Sequence, residues 1–219
     1  MITVPQVFAT TTVNREGNAG RKWIDALPGV IEDLCQQWNL TVDGPVMHGY
    51  LALVIPVRSA AEPCVLKVSW IDESTIDEAI ALSAWNGQGA VRLLTSQPAP
   101  GALLLERLDH RWSLNDVGIA EAVEVACRLL RRLSIPAPVG LRPLQIVMQD
   151  LCRILPDRWK RYGHPLPRHL LDRACDLAIQ LGASTGNLLV NYDLHYADVL
   201  MGKREPWLVV DPKVGRRRS

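Results

Sequence analysis

The chain has 219 residues, of which 48% are hydrophobic and 21% are charged, and its formal net charge is +1. This mix is ordinary for a folded protein that buries a core, and the length suggests one domain or two small lobes. Because positive and negative charges balance, no general attraction to nucleic acid or to a membrane surface is expected.

The N-terminal residues divide into a stretch without a pattern and a predicted helix. Residues 1–20 show no strong periodicity, lack the charged-then-apolar order of a signal peptide, and are interpreted as a loose arm or an edge strand. Residues 22–39 have apolar side chains at helical spacing, and Pro28 suggests a break or a new helix start. The apolar face of this helix is predicted to contain Trp23, Leu27, Ile31, Leu34 and Trp38.

A change of period after this helix predicts a β-hairpin. Residues 49–57 and 63–70 are rich in branched side chains and are separated by a polar turn. Lys67 lies in the second of these strands, between apolar neighbours. A lysine in that setting is unfavourable unless it has an anionic partner.

Residues 71–85 predict a helix that ends at an Asn-Gly-Gln-Gly sequence. Ser74 or Thr75 could cap this helix, with Glu78 placed as in a capping box. Glu78 also follows Lys67 by 11 residues. Protein kinases use a strand lysine paired with a helix glutamate to hold the phosphates of ATP. The alternative interpretation is an edge-strand lysine that points to water.

The later segments begin as strands and then become helical. Residues 89–94 and 102–108 predict two strands joined by a proline-containing turn. The chain is mostly helical beyond residue 112, where Ser113 or Asn115 could cap the first helix. Three helices are predicted there, over residues 114–133, 143–162 and 167–182.

The order of these elements predicts an α+β protein with two lobes. A strand-rich first half contains one inserted helix, and the helical second half ends in short strands at 188–190 and 207–211. This order is typical of a small N-terminal β-sheet lobe followed by a helical C-terminal lobe. We predict that the first lobe comprises residues 1–108 and the second residues 109–219.

Three aspartates lie on polar loops beside the last two predicted strands. Asp193 and Asp198 are five residues apart, and Asp211 follows at a strand end. Phosphoryl transfer needs a carboxylate near the attacking hydroxyl and oxygen ligands for the Mg²⁺ that accompanies ATP. These side chains could supply both. The alternative is a hairpin with charged turn residues.

The cysteines and the chain termini favour a cytoplasmic protein. The five cysteines include no Cys-x-x-Cys pair, so we interpret them as small buried residues in a reducing compartment and not as metal ligands. No run approaches the roughly 20 apolar residues of a membrane helix. The basic cluster of Arg216, Arg217 and Arg218 is interpreted as a solvated end.

Four segments of the chain carry a resemblance to a known family, namely GQGAVRLL, ALLLERLDH, EAVEVACRLLRRLSIPAP and YDLHYADVLMGKREPWLVVDPK. They resemble the streptomycin 6-phosphotransferase and hydroxyurea phosphotransferase family within the aminoglycoside phosphotransferase superfamily. The resemblance runs from about residue 40 to residue 213. It implies a protein-kinase-like fold and ATP-dependent phosphorylation of a hydroxyl on a small molecule.

This resemblance implies a role for each of four charged residues. Asp193 would be the catalytic aspartate that orients or deprotonates the acceptor hydroxyl. Asp211 would bind Mg²⁺. Lys67 would hold the phosphates of ATP, and Glu78 would fix the position of Lys67.

The resemblance also implies where the adenine and the phosphates would lie. Glu106 and Leu108 would be hinge residues whose backbone groups meet adenine. Residues 43–50 would contain the loop that covers the phosphates, although this loop has no distinctive glycine pattern. His195 could touch the acceptor or the metal region, and we favour a role in bracing its own loop by hydrogen bonds.

Three features depart from the family pattern. Asn191 stands where the superfamily usually has a histidine that supports the catalytic loop. Asp198 stands where a metal-binding asparagine is expected. Aspartate can still bind Mg²⁺, but it adds negative charge beside Asp193 and Asp211, which should raise the demand for metal. The chain ends in Val-Gly-Arg-Arg-Arg-Ser where the family continues into acceptor-binding helices, so a truncated lobe with exposed apolar faces is expected.

The leading hypothesis is a phosphotransferase that moves the γ-phosphate of ATP to a hydroxyl of an aminoglycoside such as streptomycin, or of hydroxyurea. Antibiotic resistance or metabolite modification would follow. The alternative is a non-catalytic kinase-fold remnant that at most binds nucleotide, and a helical interaction module without an ATP site is a third. The acceptor is left open, because fold and loop determine the donor chemistry only.

Overall fold

The computed structural model describes residues 2–60, 62–183 and 187–216. Arg217 and Arg218, which we interpreted as part of a solvated end, lie outside the described residues. The helices are α1 (Gln6–Gln37), α2 (Glu78–Trp85), α3 (Ile119–Leu133), α4 (Leu144–Arg161) and α5 (Arg168–Gly182). The strands are β1 (Leu40–Val42), β2 (Met47–His48), β3 (Ala52–Ser59), β4 (Glu62–Ser69), β5 (Leu93–Gln97), β6 (Ala102–Glu106), β7 (Asp109–Ser113), β8 (Leu189–Asn191), β9 (Val199–Met201), β10 (Trp207–Val209) and β11 (Val214–Arg216).

An antiparallel six-stranded sheet dominates the first half of the chain. Its strand order is β1-β3-β4-β6-β5, and β2 also pairs with β3. The predicted hairpin is confirmed, because β3 and β4 pair over their full length and Lys67 lies opposite Val54. Side chains alternate between the two faces of a strand. Leu66 and Val68 therefore face the core formed with α1, and Lys67 faces the opposite side.

Helix α1 corrects two expectations. Residues 6–16 are helical, so neither a loose arm nor an edge strand is correct, and the helix continues through Pro28 without the predicted break. The chain bends instead at Gly17, where φ is 61° and ψ is −135°, a conformation that favours glycine. We call residues 6–16 the first arm of α1 and residues 18–37 the second arm.

The two arms of α1 pack closely at the bend. A Cβ on Gly20 would lie 2.8 Å from the carbonyl oxygen of Thr12, although residues this far apart along a straight helix are separated by about 12 Å. Phe8 and Thr12 are the buried residues of the first arm. Two buried positions are too few to produce a helical period that could be recognised in the sequence. The second arm packs Leu27, Ile31 and Leu34 against the sheet.

Helix α2 begins at Glu78, later than the predicted residue 71, and the intervening residues form turns. The hydroxyl of Thr75 donates to the carbonyl oxygen of Trp70 at 2.8 Å, and neither it nor Ser74 caps the helix. Glu78 is not part of a capping box, because its carboxylate points to Lys67. The predicted end is confirmed, since Asn86 adopts a left-handed conformation there.

The second half of the described chain is mostly helical, so the α+β arrangement is confirmed. The helices predicted at 143–162 and 167–182 correspond to α4 and α5. The segment predicted at 114–133 is divided into a short 3-10 helix and α3, because the chain is extended at Val117. Ser113 and Asp116 form the cap of the 3-10 helix. Within the described ranges, no helix is both long and apolar enough to cross a bilayer.

Candidate active site

Four charged side chains form a network where the sheet meets the C-terminal loops. The ammonium group of Lys67 donates to both carboxylate oxygens of Glu78, at 2.7 and 2.6 Å, and to Oδ1 of Asp211 at 2.5 Å. Lys213 donates to the same oxygen of Asp211 at 3.0 Å. The side chains of Lys67 and Glu78 are only 7% and 1% exposed. The alternative of a solvent-facing lysine is therefore wrong.

This network follows from the local structure of each residue. The register of β4 directs Lys67 away from α1, and α2 begins at Glu78, directly across from it. Burial alone would lower the pKa of Lys67, but the carboxylates of Glu78 and Asp211 outweigh it and raise the pKa. Burial would likewise raise the pKa of Asp211, but Lys67 and Lys213 hold it below its ordinary value. Both groups are therefore charged at neutral pH.

Two antiparallel strand pairs bring the aspartate-bearing loops together. β8 pairs with β11 and β9 pairs with β10, so the loop that connects β8 to β9 lies beside the loop that connects β10 to β11. The amide of Val210 donates to the carbonyl of Asp198 at 2.8 Å, and the amide of Tyr192 donates to the carbonyl of Lys213 at 2.9 Å. Asp211 has a positive φ of 47°. Such strain persists only where the surroundings impose it.

Side chains within the β8–β9 loop support its two aspartates. Asn191 accepts a hydrogen bond from the amide of Asp193 at 3.2 Å, so the asparagine performs the loop-supporting task expected at this position. Nε2 of His195 lies 3.0 Å from Oδ2 of Asp198. His195 thus contacts the side chain of a predicted metal ligand, and Asp193 is exposed.

The carboxyl group of Asp198 has an altered proton affinity. Burial raises its pKa to about 6, with the negative charges of Asp211 and Asp193 adding to the effect and His195 opposing it. At neutral pH this group is therefore mostly ionised, and it becomes protonated as the pH falls below about 6. A cation placed between these aspartates would lower the pKa of Asp198 again.

A cavity of about 390 Å³ connects most of the predicted site residues. It lies between the sheet and the aspartate loops, and residues of the predicted phosphate-covering loop, 43–50, form part of its wall. Glu78 lies behind Lys67 and does not line this cavity. The predicted residues that do line it are Lys67, Glu106, Leu108, Asp198 and Asp211.

A second, more open cavity of about 1250 Å³ contains Asp193. Lys213 and Tyr192 line it together with residues of α4. Tyr50 and Leu51 line both cavities. Asp193 therefore faces a separate chamber that adjoins the first.

Arginines that the sequence reasoning missed surround the predicted hinge. Arg204 donates to the carboxylate of Glu106 at 2.7 Å from the β9–β10 turn. Arg107 donates to the carbonyls of Cys64 and Val57, at 3.0 and 2.6 Å, and pairs with Asp43. Their partners lie far away in sequence, so no local pattern could reveal them.

The backbone of the hinge has an available donor. Within residues 2–60, 62–183 and 187–216, no backbone carbonyl is bonded to the amide of Leu108. The amide of Glu106 is used, since it donates to the carbonyl of Arg92 at 3.0 Å. Leu108 lines the cavity, and the described backbone leaves its amide available as a donor. A heteroaromatic ring nitrogen can accept a hydrogen bond from such a group.

The donor set is compatible with magnesium bound through a nucleotide. Asp198 and Asp211 line the same cavity, and carboxylate oxygens are preferred ligands of Mg²⁺. The described residues contain no group of three acidic, histidine or cysteine side chains arranged for a metal ion. A cation carried by ATP does not require one, because it is held by one or two carboxylates and by phosphate oxygens.

Comparisons with known proteins found a matching family and several relatives. A family model described as aminoglycoside/hydroxyurea antibiotic resistance kinase matches residues 37–216. A hydroxyurea phosphotransferase from Kitasatospora aureofaciens is 40% identical, over 97% of this chain and 64% of that protein. A streptomycin 6-kinase from Streptomyces glaucescens is 37% identical, over 97% of this chain and 70% of that protein. The chain thus spans about two thirds of the length of these relatives.

A solved structure is similar in fold. The aminoglycoside phosphotransferase APH(4)-Ia superposes with a TM-score of 0.52 at 12% sequence identity, covering 86% of this chain and 73% of that protein. At this identity the likeness concerns the fold alone. It confirms the expected kinase-like arrangement of a β-sheet lobe and a helical lobe.

The raised pKa of Asp198 predicts a pH-dependent stability difference. The folded state binds this proton more tightly than the unfolded state, so the contribution of Asp198 to the free energy of unfolding should fall as pH rises from 3.8 to about 6. Asp198→Asn should remove this component, and Asp157→Asn, at an 85% exposed position, should not. Urea unfolding at several pH values measures the slopes. Equal slopes for wild type and Asp198→Asn would contradict the assignment.

Proposed function

We propose that this chain, which belongs to the aminoglycoside/hydroxyurea antibiotic resistance kinase family, transfers the γ-phosphate of ATP to a hydroxyl group of a small molecule. The observation that carries this proposal is the network of Lys67, Glu78 and Asp211 at the edge of the first cavity, in which Lys67 and Glu78 are buried. A charged lysine held at a cavity wall by carboxylates is suited to phosphate binding. The exposed Asp193 in the adjoining cavity supplies the group that the acceptor needs.

We propose that the 390 Å³ cavity binds ATP. Adenine would lie against the backbone of Glu106 and Leu108, and Lys67 would contact the phosphates. Asp198 and Asp211 would hold Mg²⁺. Magnesium bound there would neutralise charge on the phosphates during transfer. Because Lys67 already pairs with Asp211, the phosphates would compete for its ammonium group, and Glu78 would keep the lysine in place.

Asp193 would act on the acceptor hydroxyl. Its carboxylate is exposed to the second cavity, and the hydrogen bond from its amide to Asn191 holds its backbone. An ionised carboxylate in this position can orient the hydroxyl and take its proton as the new oxygen–phosphorus bond forms. The leaving group is ADP, and its charge would be stabilised from the donor cavity.

The division into lobes follows the same logic. β6 ends at Glu106, and β7 pairs with β9 and not with the six-stranded sheet. We therefore propose that residues 1–108 form the nucleotide-binding lobe and residues 109–219 the catalytic lobe.

Since ATP is a cytoplasmic cosubstrate, we also propose that the protein acts in the cytoplasm.

The charge of the second cavity favours a neutral acceptor over a polycation. Glu73 and Asp150 both pair with Arg142. Asp72 accepts from the amide and the hydroxyl of Ser74, each at 2.7 Å. Among the described carboxylates of this wall, Asp193 is thus the one not engaged by another side chain. Streptomycin carries guanidinium groups and would need several carboxylates that are free to pair with them. Hydroxyurea is neutral and is therefore the better fit.

Nucleotide titration tests the donor site. A non-hydrolysable ATP analogue should bind the purified chain in a Mg²⁺-dependent manner, and Lys67→Ala should weaken binding by about tenfold or more, since it removes a buried charged contact. Calorimetry measures the affinity, and Lys22→Ala, at an exposed position of α1, serves as the control. Absence of binding by the folded wild-type chain would refute the donor site.

The role of Asp193 is tested by separating binding from transfer. Asp193→Asn should reduce phosphate transfer by about 10²–10⁴-fold, the usual effect of losing a general base. The affinity for the ATP analogue should remain nearly unchanged. Asp157→Asn is the matched control. Equal transfer rates in wild type and Asp193→Asn would exclude the catalytic role. Wild-type nucleotide binding without transfer to any acceptor would instead favour the non-catalytic remnant.

The acceptor proposal predicts a preference and its reversal. The ratio kcat/KM should be higher for hydroxyurea than for streptomycin. Arg158 and Arg161 line the second cavity, so the double variant Arg158→Glu/Arg161→Glu should raise the relative kcat/KM for streptomycin by replacing cations with anions. Phosphate transfer to each compound is measured. A wild-type preference for streptomycin would overturn the acceptor assignment while leaving the kinase proposal intact.

A further inference from the structure

The first arm of α1 contacts the tip of the loop that adjoins both cavities. The guanidinium of Arg15 donates from Nη1 to the carbonyl of Tyr50 at 3.1 Å. The same group lies 4.7 Å from the centre of the Tyr50 ring. Tyr50 and Leu51 line both cavities, so this contact acts on the wall between the donor and acceptor chambers.

A second contact from the first arm reaches the same loop. Phe8 is 1% exposed, and its ring centre lies 5.4 Å from the imidazole of His48. The loop has little support of its own, because β2 contains two residues and pairs with β3 at two positions. It also lacks a glycine-rich pattern that would place backbone amides around phosphates. Beyond the pairing of Asp43 with Arg107 and the bond from the amide of Gly49 to the carbonyl of Ala52, its position depends on what packs against it.

The environment of Arg15 indicates a constrained side chain. Nε pairs with Glu16 at 2.5 Å, and the side chain of Arg15 is 18% exposed. Its Nη2 atom is buried and has no hydrogen-bond partner among the described residues. A partly satisfied guanidinium away from water is unfavourable. Stability alone does not account for a guanidinium group held in this way. A contribution of the contact with Tyr50 to function would explain it.

The bend of α1 determines where Arg15 lies. Gly17 follows it closely, and its positive φ turns the first arm back toward the second. Close packing of Gly20 against the Thr12 carbonyl fixes the angle between the arms. Arg15 is therefore presented by two packed helical segments, and not by a mobile terminus. This arm precedes residues 37–216, the part matched by the family model.

We propose that Arg15 is a positioning residue for phosphoryl transfer. By holding Tyr50, it keeps loop 43–50 closed over the phosphates of the bound nucleotide and maintains the wall between the two chambers. This inference rests on the proposed function, because it assumes that the first cavity takes ATP. Arg15 also lines the second cavity. Its proposed effect on the nucleotide passes through the loop.

The experiment measures the loop and the nucleotide separately. Hydrogen exchange of peptides covering residues 43–52 is followed in wild type, Arg15→Ala, Arg15→Lys and the control Arg21→Ala, an exposed residue of the second arm. Calorimetry then gives the affinity of each for a non-hydrolysable ATP analogue with Mg²⁺. Lysine keeps the charge of arginine but lacks the several donors and the flat stacking surface of the guanidinium group. Arg15→Lys therefore shows whether the geometry of the guanidinium or only its positive charge is needed.

We expect Arg15→Ala to speed exchange in the loop without nucleotide and to weaken analogue binding by about tenfold, the loss typical of one charge-assisted hydrogen bond. Arg15→Lys should be intermediate, and Arg21→Ala should match wild type. The thermal unfolding midpoint should change little. A general structural defect would instead lower the midpoint and speed exchange throughout the chain.

Three results would overturn the inference. Unchanged loop exchange in Arg15→Ala would exclude the contact as a constraint. Faster exchange with unchanged analogue affinity would exclude a role in nucleotide positioning. If Arg15→Ala fails to fold, Arg15→Lys takes its place. A folded Arg15→Lys variant with wild-type loop exchange and wild-type affinity for the analogue would overturn the inference. A wild-type chain that does not bind the analogue would refute the donor site itself, a distinct outcome.

Discussion

The charge requirement of one buried lysine organises this molecule. Lys67 is withdrawn from water into the space between a sheet and a helix, and a charged group there needs anionic partners. Glu78 supplies one from α2, and Asp211 supplies another from a loop 144 residues away in sequence. The network therefore joins the six-stranded sheet to the aspartate loops, and the cavity lies at this junction.

The strand pairs of the second half serve the same junction. Because β8 pairs with β11 and β9 with β10, the loops that carry Asp193, Asp198 and Asp211 lie side by side. Gathering these carboxylates concentrates negative charge, which adds to the effect of burial in raising the pKa of Asp198. The positive φ of Asp211 indicates that the backbone is strained where this residue meets Lys67.

Local patterns in the sequence predicted the elements that local physics determines. The β3–β4 hairpin, α4 and α5 follow from hydrophobic period, and Lys67 was identified because an isolated lysine between apolar residues demands a partner.

The first arm of α1 escaped prediction because its helix depends on Phe8 packing and on the close approach at Gly20. The start of α2 was misplaced because the tertiary contact of Glu78 with Lys67 prevailed over the capping box. Arg15, Arg107 and Arg204 form contacts whose partners are distant in sequence.

The energetics of the network also bear on the choice between an enzyme and an inert remnant. A buried ion pair is seldom better for stability than apolar side chains of similar volume, because desolvation offsets the attraction between the charges. A protein that needed only a folded core at this position would gain nothing from Lys67, Glu78 and the strained Asp211. The arrangement has a physical purpose if anionic phosphates and their cation enter the cavity, since both the lysine and the aspartates then acquire partners of opposite charge.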